Sequence, residues 1–443
     1  MYQNHRRPNE PAIVFSFILN LGSAISFGSD PLTFLRENKK KLGSTFCAVI
    51  AGNRTVFIND PEDWKGILRL PKSMLSFDDI GKEVLVSSFY MNARTADAVQ
   101  FEGAKVLHGQ FVKYLQGRDS MSAMTGRAQD SFEAQLSQLR LPCPPSDPVP
   151  LFSTLSSVVF KATMSSLFGP DHPLVSESSY EDFAAHDANF PFLAGGAPSF
   201  LFPSSSSGSA GLRSKVVSSV GDVKGLMDAR DSYFKEINLS PSDRAAAQAV
   251  IVWASAANTV PTAVWTLAHI ASSPSSLSSV RRELSALSAV DDMPYLDSCV
   301  HETFRLKSSS MTVRKVTSPV GVTLPGGARL RGGDRVAIFP PLQHMDPRNF
   351  EEPETWKGGR FVDEPGKKNL VMPFGGGASK CPGRLFALRE VKVFIRAVLT
   401  EFDVEVVGEL PEFDKTRVGL GINGVEKGKD VMCRLRRRVG KRE

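Results

Sequence analysis

The chain contains 443 residues, of which 42% are hydrophobic and 23% are charged, and 53 Lys and Arg against 47 Asp and Glu give a net charge of +6. This is the composition of an ordinary globular protein, and the length alone suggests two or three domains. No basic run is interleaved with aromatic residues, which argues against a nucleic-acid-binding protein. The five cysteines lie far apart without a Cys-x-x-Cys pair, which argues against a disulfide framework and a zinc site.

The N-terminal segment, residues 1–28, is predicted to contain no membrane span. Its apolar run from Ala12 to Leu21 has ten residues, whereas a helix needs about 20 to cross a bilayer. The flanks of this run do not resemble a secretory signal with a cleavage site. We therefore expect that a membrane anchor is lost, was cut from this chain, or is replaced by peripheral binding.

Residues 193–209 are predicted to form a loop, because Gly, Pro and Ser, which favour turns, recur throughout this stretch. The aromatic and leucine residues in this stretch, residues 200–202, are prone to exposure. Two interpretations stay open, a mobile lid and an ordinary surface loop with a serine-rich tail.

A long helix is predicted from Ser240 to Ala271. Ser240 is a good N-cap, a proline follows at the first helical position, and the roughly 30 residues would extend for about 45 Å. Pro261 has no N–H, so the carbonyl of Ala257 loses its helical partner. We expect a notch beside Thr259 that could hold O₂ and water. The alternative is a kinked core helix without a further role.

Glu302 and Arg305 are three residues apart, so on a helix they share one face and can form an ion pair. The preceding residues, 295–300, are largely apolar, which favours a buried pair. A buried pair needs additional hydrogen-bond donors, and Arg360 would provide them in a structural Glu-Arg-Arg network. The alternative is a solvated surface pair, which contributes little to stability.

The most informative motif surrounds Cys381. Phe374 and Gly377 precede it, Gly383 follows it, and a helix-like apolar pattern begins at once. This spacing suits a thiolate that ligates haem iron, with Phe374 against the macrocycle, Gly377 in a tight turn close under the ring, and Gly383 at the turn into a helix whose N-terminus keeps the sulfur ionised. The alternatives are a cysteine that only packs, and a phosphate loop, although the glycine expected before Lys380 is missing.

Together these motifs resemble the cytochrome P450 family in their order along the chain. The resemblance covers about residues 6–438, and residues 258–261 with Trp265 are similar to the branch of sterol 7α- and 12α-hydroxylases and prostacyclin synthase. It implies a mainly α fold (α+β), with a large helical domain and a small β-rich portion. Residues 29–443 would form a single catalytic domain that binds haem b through the iron ligand Cys381.

Several positions depart from the usual pattern of that family. Asn258 replaces an acidic residue before the notch threonine, and an amide can orient water but cannot titrate. Ser379 replaces a basic residue that holds a haem propionate. The Trp-x-x-x-Arg of the haem-flanking helix is absent from residues 108–115, where Lys113 is a candidate instead. The resemblance makes Arg314 the better propionate partner, against the alternative of an ordinary strand arginine.

The activity that the resemblance implies is a haem-thiolate monooxygenase that hydroxylates a hydrophobic lipid, most simply a sterol-like one, with O₂ and two electrons from a redox partner. Thr259, with water, would deliver protons, and Asn258 is the second catalytic candidate. The pocket would be mainly apolar with few polar anchors. The residues expected to contact substrate are Trp253, Ala254, Ala257, Met311 and Leu420.

The implied electron donor is a flavoprotein reductase or a ferredoxin-type protein, docking on a basic face near the cysteine. The expected docking residues are Lys380, Arg384, Arg389 and Lys392, and the alternative is a merely solvated helix face. The resemblance also implies a peripheral membrane contact at residues 193–209. The location would be the cytosolic face of the endoplasmic reticulum membrane if an upstream anchor exists, and the cytoplasm otherwise.

Two other functions stay open. A lipid peroxide isomerase of the prostacyclin synthase type needs neither an electron donor nor a proton relay, and Asn258 and Ser379 are compatible with it. A non-catalytic haem- or lipid-binding relic would explain the divergent propionate contacts. The retention of Cys381, Thr259 and the Glu-Arg-Arg residues argues against the relic.

Overall fold

Helices dominate the part of the chain that the computed structural model describes, which comprises residues 9–14, 22–142, 147–217, 225–286, 289–324, 326–415, 417 and 419–438. The mainly α fold predicted from the sequence is confirmed. The α-helices within these residues are α1 Gly22–Ser29, α2 Pro31–Leu42, α3 Pro61–Arg69, α4 Asp78–Phe89, α5 Ala93–Asp97, α6 Ala104–Leu115, α7 Arg118–Ser137, α8 Leu151–Phe168, α9 Glu177–Ala188, α10 Phe190–Ala194, α11 Pro203–Val217, α12 Leu226–Glu236, α13 Pro241–Ala256, α14 Thr259–Ser272, α15 Pro274–Ser285, α16 Pro294–Lys307, α17 Pro341–His344, α18 Arg360–Asp363 and α19 Arg384–Glu401.

The strands of the described residues form a β-rich portion of three small sheets. They are β1 Ala12–Ile13, β2 Thr45–Ile50, β3 Asn53–Ile58, β4 Leu75–Ser76, β5 Val149–Pro150, β6 Thr312–Val316, β7 Val322–Thr323, β8 Arg329–Leu330, β9 Arg335–Ile338, β10 Phe402–Val406 and β11 Met432–Arg437. The largest sheet has the order β1-β2-β3-β9-β6-β4. Strand β6 pairs antiparallel with β9, with Arg314 opposite Val336, and this sheet places Arg314 beside the cysteine loop.

Helix α14 forms the centre of the helical part. Every residue from Thr259 to Ile270 is buried, and the helix packs against α8, α16 and α19. A helix that is buried on all sides needs a large core around it, and the largest hydrophobic cluster surrounds α14, including the fully buried Trp265. The notch region and the cysteine helix are therefore parts of one packed unit.

The single helix predicted over residues 240–271 is divided in the structure. Helix α13 begins after the N-cap Ser240, whose hydroxyl accepts the Asp243 N–H at 3.2 Å, as the sequence indicates. It ends at Ala256, and α14 starts at Thr259. Pro261 cannot donate to the Ala257 carbonyl, so the backbone turns at residues 257–258, and the notch is a break between two helices.

The loop predicted at residues 193–209 is wrong in its serine-rich part. A short helix, α10, and a 3₁₀ turn at residues 199–201 are followed by helix α11, which contains residues 204–209. Small side chains allow α11 to lie against α9: a Cβ at Gly208 would be 2.3 Å from the Asp182 carbonyl oxygen. The buried Ser205 hydroxyl donates to the Ala185 carbonyl at 3.0 Å. Tertiary packing thus overrides the loop-like composition.

Two segments are long and apolar enough to cross a membrane by composition alone, residues 151–168 and residues 241–272. Most of each segment is buried inside the protein: the first is α8, and the second comprises α13 and α14. Of the N-terminal apolar run, Ala12 and Ile13 form β1, paired with β2, whereas residues 15–21 lie outside the described residues.

Candidate functional site

Cys381 lies in a short loop immediately before α19. Its sulfur accepts hydrogen bonds from the backbone N–H groups of Gly383 and Arg384, and its own N–H donates to the Phe374 carbonyl at 3.0 Å. The Arg384 guanidinium donates to the Cys381 carbonyl at 3.2 Å. The N-terminus of α19 is therefore aimed at the sulfur, an arrangement that favours a thiolate.

The pKa of the Cys381 thiol is raised by burial, while the N–H groups of residues 383 and 384 and the Arg384 charge act in the opposite direction. The other described cysteines lack a helix N-terminus. Burial raises the pKa of Cys47 to about 11, that of Cys433 to about 12, and that of Cys299 well above its usual value. Among the described cysteines, Cys381 is thus the one whose surroundings stabilise a thiolate that can bind a cation.

Position 377, four residues before Cys381, requires a glycine because Leu68 of α3 lies against it. Gly377 has φ +66°, and a Cβ there would lie 2.2 Å from the Leu68 carbonyl oxygen. The sequence predicts that Gly377 forms a tight turn close under a haem ring. In the structure, the atom that excludes a side chain at Gly377 is the Leu68 carbonyl oxygen. Gly383 has an ordinary φ of −83°, and a Cβ there would lie 4.0 Å from the Cys381 sulfur.

Phe374 anchors the cysteine loop to α16. Its ring meets the Phe304 ring edge to face at a centroid distance of 5.1 Å, a favourable arrangement for two aromatic side chains. Phe304 lies between Glu302 and Arg305 in the chain, so the predicted ion-pair network lies directly behind the loop.

The structure contains that network. One Glu302 oxygen accepts from Arg305 Nε at 2.8 Å and the other accepts from Arg360 Nε at 2.9 Å, and all three side chains are buried. Backbone carbonyls satisfy the remaining guanidinium donors, including that of His344 at 2.8 Å and that of Pro353 at 2.6 Å from Arg305. Such additional hydrogen bonds are what a buried ion pair needs to offset desolvation.

His344 connects the network to the cysteine loop, a role that no motif in the sequence indicates. Its carbonyl accepts from Arg305, and its Nε2 accepts the backbone N–H of Met372 at 3.2 Å. Burial and the Arg305 charge lower the pKa of His344 to about 3. The imidazole therefore stays neutral and keeps an acceptor nitrogen for the loop.

The two predicted propionate partners differ in position. Arg314 is half-buried on β6, and its guanidinium donates to the Gly376 carbonyl at 3.2 Å in the cysteine loop. Lys113 is exposed on α6, with its ammonium 5.0 Å from the Tyr114 ring centroid. Helix α6 still contacts the loop, because Gln116 at its C-terminus donates to the Pro382 carbonyl at 3.2 Å.

At the helix break, the side chain of Asn258 is engaged with a distant loop. Its Oδ1 accepts the backbone N–H of Ile422 at 2.9 Å, and its carbonyl accepts from the Thr262 hydroxyl at 2.6 Å. Thr259 begins α14 and is 6% exposed. The Asn258 amide is predicted from the sequence to orient water, but its oxygen already accepts a hydrogen bond from the protein backbone.

The predicted substrate-contacting residues fall into different clusters. Trp253 and Leu420 pack in the same apolar cluster, and the Trp253 indole stacks on Phe190 at 3.7 Å. Met311 packs against another cluster, with its N–H donating to the Gly419 carbonyl at 3.4 Å. Ala254 is exposed on α13.

Ala257 borders a different space. It is buried and lines a cleft of about 380 Å³ between α8, α9 and residues 424–430, together with Val260, Pro261 and Ile422. This cleft opens beside the helix break. Trp253 packs against the cluster that contains Ala257 as well as against the one that contains Leu420, so it lies between the two.

The predicted basic docking face is only partly present. Lys380 is exposed, but Lys392 is 6% exposed and pairs with Asp297 at 3.0 Å. Arg389 pairs with Asp291. The assignment of Lys392 to a docking surface is wrong, because this side chain is buried in the core and its charge is paired with the Asp297 carboxylate.

The residues around Cys381 fit a haem group. The sulfur is a soft, thiolate-forming ligand, and Cys381, Phe374 and Arg314 are all half-buried beside a glycine-rich loop. The apolar ring of Phe374 suits a macrocycle, and the guanidinium of Arg314 suits a carboxylate. Cysteine thiolate is a known axial ligand of haem iron.

Comparison with known proteins agrees with this geometry. Residues 223–426 match the family model described as Cytochrome P450. The chain is 30% identical to cytochrome P450 7A1 of Oryctolagus cuniculus in an alignment 468 residues long, gaps included, which covers 94% of this chain and 92% of that protein. It is 28% identical to the 5-beta-cholestane-3-alpha,7-alpha-diol 12-alpha-hydroxylase of Sus scrofa (94% and 91% covered) and 27% identical to prostacyclin synthase of Bos taurus (97% and 95% covered).

Proposed function

The chain belongs to the cytochrome P450 family, and we propose that it hydroxylates a sterol-like lipid at the site beside Cys381. As a member of this family it is a haem-thiolate monooxygenase that uses haem b, O₂, a lipophilic substrate and a redox partner. The observation that carries the proposal is the Cys381 sulfur at the N-terminus of α19, with two backbone N–H groups directed at it. The relative named as a cholestane-diol 12-alpha-hydroxylase supports the sterol class.

The residues of the chain have distinct tasks in this reaction. A thiolate-ligated haem supplies the chemistry of oxygen activation, because the thiolate favours O–O cleavage. Cys381 would hold the iron, and the N–H groups of residues 383 and 384 would stabilise the negative charge of its thiolate. Arg314 would pair with a carboxylate of the cofactor. The Thr259 hydroxyl, at the start of α14, would hold and pass on a proton.

The apolar cluster of Trp253 and Leu420 would exclude water and bind the hydrocarbon part of the substrate. Trp253 is held rigidly, since its indole N–H donates to the Asp187 carboxylate at 2.8 Å and its ring stacks on Phe190. The Arg417 guanidinium donates to the same carboxylate at 2.9 Å. This wall is therefore preorganised, as expected for recognition of a rigid, fused-ring lipid.

We also propose two contact surfaces, one for the electron donor and one for a membrane. Lys380 would contact an acidic flavoprotein or ferredoxin-type donor beside the cysteine loop. Phe192, Phe200 and Leu201 are 55%, 79% and 58% exposed, and such an apolar patch favours contact with a lipid surface. We propose the cytosolic face of the endoplasmic reticulum membrane as that surface.

Ligand titration of the ferric enzyme, followed by the haem spin-state shift, tests the substrate class. We expect 3-hydroxysterols to produce a saturable shift and straight-chain fatty acids of similar length to produce none. Trp253→Ala should weaken the sterol response. A fatty-acid response that exceeds the sterol response would overturn the substrate assignment while leaving the haem site intact.

A second function, isomerisation of a lipid peroxide, is favoured by one observation. Asn258 cannot titrate, and its Oδ1 is already bonded to Ile422, so the notch offers no acidic side chain at that position for proton delivery. Turnover of a lipid hydroperoxide or endoperoxide without any reductase would identify this activity. Consumption of reduced nicotinamide coupled to sterol hydroxylation would exclude it as the main one.

A further inference from the structure

Residues 419–423 form a short segment that carries Leu420 and is held from one side by Ser309. The Ser309 N–H donates to the Gly421 carbonyl at 2.7 Å, and the Ser309 carbonyl accepts the Gly419 N–H at 2.8 Å. The Asn423 amide donates to the Ser309 hydroxyl at 2.9 Å. These bonds hold residues 419 and 421, but among the described residues no backbone carbonyl accepts the N–H of Ile422.

Asn258 supplies that acceptor from the helix break. Its Oδ1 accepts the Ile422 N–H at 2.9 Å. Gly421 has φ +114°, and a Cβ there would lie 1.9 Å from the same oxygen. The segment can therefore approach the amide only because residue 421 has no side chain and tolerates this backbone conformation.

The bond is costly to lose. Ile422 is 5% exposed, so its N–H would stay buried and unpaired without Asn258, and an unpaired buried donor carries a large desolvation penalty. Leu420, two residues earlier, packs in the cluster that contains Trp253. A shift of the segment would thus move a side chain of the wall that we assign to substrate binding.

We propose that Asn258 is a positioning residue: its amide oxygen fixes residues 421–422 at the helix break and so places Leu420 against the substrate. On this inference, the position beside Thr259 is occupied by an amide because the segment needs an acceptor there. Its role in selecting the oxidised carbon rests on the proposed function. The anchoring itself does not, and it can be measured without turnover.

Hydrogen exchange of the peptide that contains Ile422, in the haem-loaded enzyme, tests the anchoring. We expect Asn258→Ala to accelerate exchange of the Ile422 amide by about five- to tenfold, the loss of one hydrogen bond. Asn258→Asp keeps an acceptor oxygen and should retain the protection. Ser255→Ala, one turn earlier on α13, is the matched control and should leave the amide unchanged. Unaltered protection in Asn258→Ala would overturn the proposal.

Gly421→Ala tests the same contact from the other side. Its Cβ would meet Asn258 Oδ1, so we expect Ile422 to lose protection in this variant too. In the Asn258→Ala/Gly421→Ala double variant the clash is gone, and the added effect of the second substitution should be smaller than its effect alone. Additive effects of the two substitutions would contradict a direct contact.

Product analysis separates positioning from proton delivery. If Asn258 positions the segment, Asn258→Ala broadens the distribution of hydroxylated regioisomers and Asn258→Asp restores it. If Asn258 only serves proton delivery, Asn258→Ala lowers the yield of product per reduced nicotinamide with one unchanged regioisomer, which would overturn the proposal. If no sterol is turned over, the proposed function fails, and the exchange experiment still decides the anchoring.

Discussion

Glu302 on α16 and Arg360 on α18 form an ion pair at 2.9 Å in which both side chains are almost completely buried. The same Glu302 oxygen accepts the backbone N–H of Lys357 at 3.1 Å, and Arg360 also donates to the Glu351 carbonyl at 2.8 Å. The pair thus joins α16 to the segment that leads to the cysteine loop, and the connection continues through His344 to Met372.

Removing the carboxylate should damage the whole region. Glu302→Gln leaves two buried guanidinium groups without a counter-charge, and breaking a buried pair in this way costs roughly 3–5 kcal/mol. We expect a lower midpoint of denaturant unfolding and reduced haem content after expression. Arg348→Ala removes one partner of the exposed pair with Asp346 and should leave both quantities unchanged. Equal behaviour of the two variants would contradict the buried network.

Gly377→Ala should also destabilise the protein. The new Cβ would lie 2.2 Å from the Leu68 carbonyl and the residue would keep a positive φ, and strain with overpacking of this kind costs roughly 2–4 kcal/mol. Gly366→Ala is the control, because a Cβ at Gly366 meets no atom of the described residues within 4 Å. Denaturant unfolding of the two variants provides the comparison, and a Gly377→Ala midpoint equal to the control value would show that α3 moves freely away from the loop.

Glu390 should make stability depend on pH. Burial raises the pKa of this carboxyl to about 8, against 4.5 when unfolded, and a hydrogen bond with Thr163 acts in the opposite direction. Between these values the native state holds a proton that the unfolded state has lost, so stability falls as pH rises, by at most roughly 1.4 kcal/mol per pH unit.

The measurement is the free energy of unfolding of wild type and Glu390→Gln at several pH values. The buried histidines act in the opposite sense: burial lowers the pKa of His172 and of His301 to about 4, so their contribution is lost as pH falls below 6.5. The difference between the two proteins isolates Glu390. We expect the glutamine variant to gain relative stability from about pH 4.5 to 8, and a pH-independent difference would contradict the raised pKa.

Electron transfer should depend on Lys380. Lys380→Glu places a negative charge on the exposed side of the cysteine loop, and we expect a several-fold higher concentration of acidic reductase for half-maximal turnover, with a stronger effect at low salt. Lys40→Glu, on the exposed side of α2, makes the same charge change elsewhere and should have no such effect. Equal kinetics of the two variants would remove Lys380 from the docking surface.

Local chemical rules were sufficient for much of the fold and site. The N-cap at Ser240, the disruptive Pro261 and the i,i+3 spacing of Glu302 and Arg305 are short-range signals, and the structure contains the capping bond, the helix break and the ion pair. The glycine two residues after Cys381 likewise indicates the start of α19. Each of these features depends on a few neighbouring residues, which is why the sequence shows them.

Features that depend on contacts distant in the chain could not be predicted. Gly377 is constrained by Leu68, and Asn258 is bonded to Ile422, and no local pattern links either pair. Residues 204–209 form a helix only because small side chains allow close packing on α9. Lys392 looked like a docking residue from its charge, and only the fold shows that Asp297 neutralises it.

Every functional assignment made for this chain requires the Cys381 sulfur to bind the haem iron as a thiolate. The carbon monoxide difference spectrum of the reduced protein, with Cys381→Ala measured in parallel, reports on this bond. We expect the thiolate-type Soret band in wild type and its loss in the variant. A wild-type spectrum without that band, or a variant that retains it, would contradict the assignment.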